Sequence, residues 1–362
     1  MARVALLVPC LTDADAVSND VLGMYSALEA RGHDVCIFAF FWNVSGPKVR
    51  HFTKIDRFID HPSALLIYHH STGWGEALGI VRQARCRRIV KYHNVTPPEF
   101  FEGIHTDYVN ACREGRRQLI EFARAGCDLY LFDSKYNMRE LMFEGVHEAE
   151  SFIIPPFHKI DRLMELDADL AVLDAYSDGR TNVLSVARLA PNKGHAALID
   201  AFAVYHHHYN PASRLLIVGK ADERLSIYVD SLRLRVMDLD LASAVVFCGE
   251  VPDRALKSYY LLADAFMMTS EHEGFCVPIV EAMAMRVPVV AFGSSAVPGT
   301  VGRAGIVWDE PDPELLAGSL DRMVSDTETS ATLGKMGRER YESRFTREKI
   351  ESRFMRALGH LS

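Results

Sequence analysis

Residues 265–284 read Ala265-Phe266-Met267-Met268-Thr269-Ser270-Glu271-His272-Glu273-Gly274-Phe275-Cys276-Val277-Pro278-Ile279-Val280-Glu281-Ala282-Met283-Ala284. An apolar run, Ala265–Thr269, leads through a polar loop holding Gly274 into a helix opened by Pro278. Proline suits a first helical turn, where its missing N–H would have no partner anyway. Strand, loop and helix in this order make one unit of a parallel α/β layer, and the same alternation runs outward in both directions. Towards the carboxyl terminus, strands are expected at Pro288–Phe292 and Gly305–Trp308. Towards the amino terminus, they are expected at Thr181–Val186, Arg214–Val218 and Ala244–Cys248, with helices at Ala196–His207, Arg224–Met237, Asp253–Leu262 and Pro278–Met285. Further back, Val4–Val8, Asp34–Phe40, Leu65–His69, Arg88–Tyr92, Leu129–Asp133 and Ser151–Ile154 are continuous apolar runs, the pattern of strands buried on both faces. Helices Asn19–Arg31 and Tyr108–Ala125 lie between them. Pro155-Pro156 ends this series, and residues 157–180 are polar, acidic and weakly periodic. The chain therefore reads as two doubly wound α/β domains, residues 1–160 and 175–345, joined near residue 160. Ligands of such sheets bind beyond the carboxyl ends of the strands.

At 362 residues the chain exceeds what one core usually supports. Its 49% hydrophobic and 24% charged residues exclude a disordered chain, and a net charge of -8 argues against a nucleic-acid binder of the basic type. Apolar runs such as Val287–Phe292 are too short to span a bilayer. The start, Ala2–Pro9, reads as a first strand rather than a leader, because no small-x-small cleavage site follows and the chain turns acidic at Asp13 and Asp15. Seven cysteines without a Cys-x-x-Cys pair suit a reducing compartment, so a cytoplasmic location is expected. Gly-x-Gly-x-x-Gly, Gly-x4-Gly-Lys-Ser/Thr, Gly-x-Ser-x-Gly and His-Glu-x-x-His are all absent. The Asp-x-Asp pairs at 13/15, 167/169 and 238/240 do not end a clear strand, so no metal site is expected. His206-His207-His208 reads as a solvated helix end.

The chemistry concentrates in the opening stretch. Gly274 lets backbone approach a ligand, and the amides of Phe275, Cys276 and Val277 head a helix whose dipole favours a diphosphate. Glu281, on the first turn, can reach a ribose diol, and Glu273 can accept from sugar hydroxyls. A second element follows the strand Asn182–Val186, where Arg188 and Lys193 supply a fork and a point charge for a diphosphate.

Glu273-x7-Glu281, preceded by Arg188…Lys193-Gly194, resembles the retaining glycosyltransferases of family 4, whose fold is GT-B: two Rossmann-like domains facing across a cleft. Leu215-Leu216-Ile217-Val218-Gly219 is similar to that family's strand–glycine segment, and Val246–Pro252 to its base pocket. The resemblance covers most of residues 181–310. It implies that Arg188 and Lys193 bind the donor diphosphate, that Glu281 holds the ribose and Glu273 the transferred sugar, and that Gly219, Val251 and the Gly274–Val277 backbone line the donor site. It also implies a segment at about 346–362 returning to the first domain as a helix, Arg347–Leu361. In the first domain, Lys91-Tyr92-His93-Asn94-Val95-Thr96-Pro97-Pro98-Glu99 looks like bacterial surface-polysaccharide mannosyltransferases, which places His93 as a catalytic residue facing the donor sugar. Asn19, Asp20 and Asn94 are weaker contact candidates. Asn19 and Asp20 serve equally well as caps of the first helix. Ala16-Val17-Ser18 stands where the family often has Gly-Gly, and Ala187 and Arg286 stand where it has Gly.

The implied activity is metal-independent transfer of a hexose with retention, from a nucleotide sugar to a glycan or lipid-diphosphate-linked saccharide, with GDP-mannose the favoured donor. A UDP-sugar transferase, a GT-B-fold epimerase and a non-catalytic nucleotide-sugar binder remain as alternatives. The basic residues Arg82, Arg85, Arg87, Arg88 and Lys91, with Arg113, Arg116, Arg117 and Arg124, suit either a solvated face or a peripheral contact with the membrane surface.

Overall fold

The computed structural model describes residues 2–13 and 15–361. Two compact units emerge: one holds the chain up to Glu99, Thr106–Lys159 and the segment from Arg347, and the other holds Phe100–His105 and Ile160–Thr346.

The first unit is built on β1 (Arg3–Leu11), β2 (Asp34–Trp42), β3 (Val49–His51), β4 (Leu65–His70), β5 (Arg87–Tyr92), β6 (Leu129–Phe132) and β7 (Ser151–Ile153). All neighbours run parallel in the order β3-β2-β1-β4-β5-β6-β7. The order reverses between β1 and β4, the kind of switch point where such sheets bind ligands. Helices cover both faces, so the central strands are apolar throughout and two separate cores form. The register pairs His69 with Lys91 and Lys91 with Leu131, which aligns the carboxyl ends of β4, β5 and β6.

The helix Ala16–Glu29 is capped by Asp15, whose carboxylate accepts from the Ser18 amide at 2.9 Å. Asn19 and Asp20 therefore lie inside the helix rather than capping it. Gly23 is where this helix meets Phe157: a Cβ there would stand 2.2 Å from the Phe157 side chain. The helix Arg347–Gly359 belongs to the same unit and buries Ile350, Phe354 and Ala357, one stripe at helical spacing.

The second unit has β8 (Thr181–Val186), β9 (Ser213–Val218), β10 (Val245–Gly249), β11 (Ala265–Met268), β12 (Val289–Phe292) and β13 (Gly305–Trp308). They run parallel in the order β10-β9-β8-β11-β12-β13, again with a core on each face. The expected two parallel-sheet α/β units are thus present.

Three local expectations are corrected. The three-residue edge strand β3 is too short to register as an apolar run. Residues 157–180, read as a polar join, hold the helices Ile160–Glu165 and Leu170–Tyr176, the second capped by Asp169 through the amides of Ala171 and Val172. The helix expected over Ala196–His207 ends its α-turns at Val204 and finishes as a π-turn, Tyr205–Tyr209. No helix among the described residues is long and apolar enough to cross a membrane.

Candidate functional site

Beyond β8 the chain makes a single 3-10 turn, Pro191–Lys193, and then enters the helix His195–Val204 through Gly194 at φ 62°. That left-handed residue is forced by close approach as well. A Cβ on Gly194 would sit 2.1 Å from the Thr269 carbonyl oxygen, while the Thr269 hydroxyl donates to the Gly194 carbonyl at 2.9 Å. Asn192 staples the same turn to the loop after β11. Its carbonyl accepts from the Glu271 and His272 amides, and its side-chain amide donates to the His272 carbonyl.

These bonds bring Lys193 against Glu273, Nζ to Oε1, at 2.8 Å, although the two are 80 residues apart in the sequence. Glu273 is otherwise held by its backbone. Its amide donates to the Ser295 hydroxyl at 2.7 Å and its carbonyl accepts from Ala296. The neighbouring Ser294 hydroxyl bonds the Ser270 carbonyl. Nothing in the sequence pattern singled out Ser294 and Ser295; a serine pair directly after the apolar strand β12 is the signal that was available.

The Gly274 loop closes on the helix Val277–Ala284 through Cys276, which adopts φ 73°. The Phe275 and Cys276 side chains are buried in the core, and the Thr300 hydroxyl donates to the Phe275 carbonyl at 2.5 Å. The segment therefore presents backbone rather than side chains, the geometry that suits an anion at a helix start. The helix starts at Val277, so Glu281 lies on its second turn rather than the expected first, with the Tyr260 hydroxyl donating to Oε2 at 2.7 Å. Burial pushes the Glu281 carboxyl up to about 7; the Tyr260 bond opposes the rise and Asp253 adds to it.

Gly219, at the end of β9, packs where a Cβ would stand 1.9 Å from the Ala187 carbonyl oxygen. Arg188 is exposed at the carboxyl end of β8, and Val251 follows β10, partly buried. Arg286, which replaces the family's glycine, adopts φ 62°. The second unit thus gathers Arg188, Lys193, Gly219, Val251, Glu273 to Val277 and Glu281 along the carboxyl ends of its strands.

The first unit holds a second constellation, most of which the sequence did not flag. His93, just past β5, has a ring only 3% exposed. Its Nδ1 lies 3.0 Å from Asp133 Oδ2, and its Nε2 lies 2.9 Å from His69 Nδ1 and 3.6 Å from Asp20 Oδ2. Lys91, fully buried, places Nζ 2.5 Å from Asp133 Oδ1 and 3.9 Å from Asp20 Oδ2, and donates to the Ile154 carbonyl. Asp20 accepts from the Phe157 amide at 2.7 Å. Both nitrogens of the His93 ring are therefore engaged by residues of its own unit. The missed signal was a histidine and a lysine inside otherwise apolar, doubly buried strands, since such residues stay inside only when paired.

Asn94, at φ 78°, donates to Asn137 and Glu140, so its side chain is spent on the turn after β5. Much of the basic stretch is paired: Arg82 with Glu121, Arg85 with Asp60, Arg116 with Glu140, and Arg117 with Glu114 and Glu121.

Fold and site together define a protein with two Rossmann-like units, one of which carries a cation–carboxylate cradle at a helix start. The family of glycosyl transferases group 1 matches residues 174–340, and that unit is a group 1 glycosyltransferase domain. Among curated relatives, the GDP-mannose-dependent alpha-(1-6)-phosphatidylinositol monomannoside mannosyltransferase of Mycolicibacterium smegmatis is 30% identical over 222 residues, 58% of this chain and 56% of that protein. The mannosylfructose-phosphate synthase of Agrobacterium fabrum is 29% identical over 227 residues, 61% of this chain and 50% of that protein. The chain thus spans about half the length of these relatives. Among solved structures, Anabaena Alr3699/HepE in complex with UDP aligns over 99% of this chain and 100% of its own, with a TM-score of 0.79 at 19% identity. Sucrose-phosphate synthase from Thermosynechococcus elongatus aligns over 100% and 99%, with a TM-score of 0.76 at 20% identity. Both share the fold, and the architecture is that of the GT-B glycosyltransferases.

Proposed function

We propose that the chain is a glycosyltransferase that takes a hexose from a nucleotide sugar, GDP-mannose before others, and moves it with retention to a glycan or lipid-linked saccharide. The observation that carries this reading is the Lys193–Glu273 pair seated in front of a helix that carries Glu281 on its second turn. In this reading the donor diphosphate replaces Glu273 as the anion on Lys193. Arg188 adds a forked cation, and the start of the helix Val277–Ala284 adds its dipole. Glu273, released from Lys193 but still anchored through Ser295, then accepts from the sugar hydroxyls. Glu281 accepts from the ribose. Charge that builds on the leaving diphosphate is met by groups already in place. The leaving phosphate takes the acceptor's proton on the face it vacates, so retention needs no second carboxylate within nucleophile range. These groups account for the diphosphate without a bound metal.

Mannose is favoured because relatives named for GDP-mannose or mannosyl transfer match this chain. A UDP-sugar is the second reading, favoured by neighbours of like fold captured with UDP and UDP-glucose. Calorimetry with GDP, UDP, ADP and dTDP, with and without EDTA, separates the two. GDP binding that EDTA leaves unchanged is the expected result; a preference for UDP would discard mannose, and no nucleotide binding would overturn the transferase. In Lys193→Ala, acceptor-dependent release of nucleoside diphosphate should fall by about 100-fold or more, the scale of losing one charge-stabilising group. Near-normal turnover in that variant would count against the site.

A further inference from the structure

The loop that carries Glu273 is clamped from two sides. The turn after β8 holds residues 269 to 272: the Thr269 hydroxyl donates to the Gly194 carbonyl, the Glu271 and His272 amides donate to the Asn192 carbonyl, and the Asn192 side chain donates to the His272 carbonyl. The loop after β12 holds residues 270 to 275. The Ser294 hydroxyl donates to the Ser270 carbonyl, and the Thr300 hydroxyl donates to the Phe275 carbonyl. Between these two bonds, the Glu273 amide donates to the Ser295 hydroxyl at 2.7 Å, and the Ala296 amide donates to the Glu273 carbonyl at 3.3 Å. Glu273 is where the clamps divide. Its side chain is held from the β8 side by Lys193, and both its backbone groups are held from the β12 side.

Ser295 holds its place against its own backbone preference. Five described residues other than glycine have positive φ: Asn94, Asp240, Cys276, Arg286 and Ser295. Asp240 and Arg286 each stand two residues beyond a helix, where a left-handed residue is an ordinary stop. Asparagine tolerates that region, and Cys276 stands at the start of the helix Val277–Ala284. Ser295, at φ 45°, ends no helix. A glycine would adopt this backbone without strain, and a strained residue persists where the surroundings require it. What serine adds over glycine is the hydroxyl that accepts from Glu273. Glu273 is only 8% exposed, so without that oxygen its amide would be buried and unpaired.

We propose that Ser295 is a positioning residue for turnover: its hydroxyl fixes the Glu273 backbone, so that the Glu273 carboxylate stays against the transferred hexose once the donor diphosphate has taken Lys193. Before the donor binds, Glu273 is held through its side chain and its backbone alike. Afterwards only the backbone bonds to Ser295 and Ala296 remain, and the bond to Ser295 is the shorter. Ser295 acts through Glu273, so its loss bears on the chemical step and not on nucleotide binding, whereas Lys193 bears on both. This deepens the transferase reading and rests on it.

The test compares Ser295→Ala with Ser295→Gly in the full chain. Both lose the hydroxyl, but only alanine keeps the strain. Ser295→Gly should therefore melt above Ser295→Ala, by about 2–4 °C. Turnover should nevertheless fall alike in both, by about 10- to 100-fold, the scale of a misplaced group. Affinity for GDP or UDP, whichever the wild type binds, should stay close to that of the wild type. In the ligand-free chain, exchange at the Glu273 amide should quicken about tenfold or more in both variants, while the Glu271 and His272 amides, held by Asn192, keep their rates. Were Ser295 only a support of the fold, activity would follow stability, and Ser295→Gly would outperform Ser295→Ala. That ranking would overturn the proposal, as would unchanged exchange at Glu273 or a loss of nucleotide affinity in step with turnover. Should Ser295→Ala fail to fold, Ser295→Gly, whose residue suits the left-handed backbone, carries the exchange, affinity and turnover measurements alone. Absent turnover in the wild type would refute the transferase reading and this role with it; wild-type turnover that both variants retain would refute the role of Ser295 alone.

Discussion

Burial pushes the Glu281 carboxyl up to about 7, against the opposing bond from Tyr260. A folded-state value above the ordinary 4.5 means that folding favours the protonated acid. The stability this group contributes is present in full below about 4.5 and is lost as pH rises through about 7. The role proposed for Glu281 runs the other way, because only the carboxylate has acceptors for both ribose hydroxyls. Nucleotide affinity should therefore rise with pH through about 7. Removing the Tyr260 hydroxyl withdraws an interaction that lowers the Glu281 value, so Tyr260→Phe should move the midpoint of that rise to higher pH. Glu281→Gln should flatten the profile, bind more weakly, and gain stability over the wild type at pH 8 more than at pH 5. Calorimetric titrations from pH 5.5 to 8.5, paired with thermal melts, check all three. An affinity independent of pH in the wild type would remove Glu281 from the ribose.

The turn at Gly194 joins two elements that each hold half of the cradle: Pro191–Lys193 beyond β8, and the loop from Thr269 to Glu273 beyond β11. Gly194→Ala meets a left-handed backbone and a Cβ at 2.1 Å from a carbonyl oxygen that belongs to backbone and cannot swing away. The strain and the forced separation together should cost about 2–4 kcal/mol. Because the same turn carries Lys193, binding should weaken alongside stability; denaturant melts and nucleotide titrations of the variant measure both. A variant as stable as the wild type would mean that the two loops are not tied. This tie explains what was legible and what was not. β11, its glycine loop and its Pro-opened helix were readable because each residue type reports on its own neighbours in the chain. The Lys193–Glu273 pair, the Ser295 anchor and the five-residue buried polar cluster depend on which strands lie side by side. A sequence of doubly buried strands does not encode that order, because such strands show no polar face. For the same reason His93 was found from its motif, while His69, Lys91 and Asp133 were hidden as ends of apolar runs.

At the scale of the whole chain, the last helix belongs to the unit that was built first. Arg347–Gly359 follows directly on the second unit, yet Phe354 packs edge-on to Phe157, with ring centroids 6.1 Å apart, in the core beneath β1 and the helix Ala16–Glu29. Arg31, in the turn that follows Ala16–Glu29, adds an ion pair at 2.5 Å with Glu351 of the last helix. The pair is half exposed, so it adds little, and the apolar stripe carries the contact. Phe354→Ala removes a fully buried ring and should cost about 3–5 kcal/mol. Because each unit has its own cores, that loss should stay local. Hydrogen exchange should quicken in Arg3–Leu11 and Ala16–Glu29 and remain unchanged in Thr181–Val186 and Ala265–Met268. A nucleotide bound to the cradle should then protect only the second unit, by about 2.7 kcal/mol at a hundred times its Kd. Exchange that quickened equally in all four strands and helices would mean that the chain unfolds as one cooperative body, and the last helix would then be a clamp on the whole molecule rather than a part of its first unit.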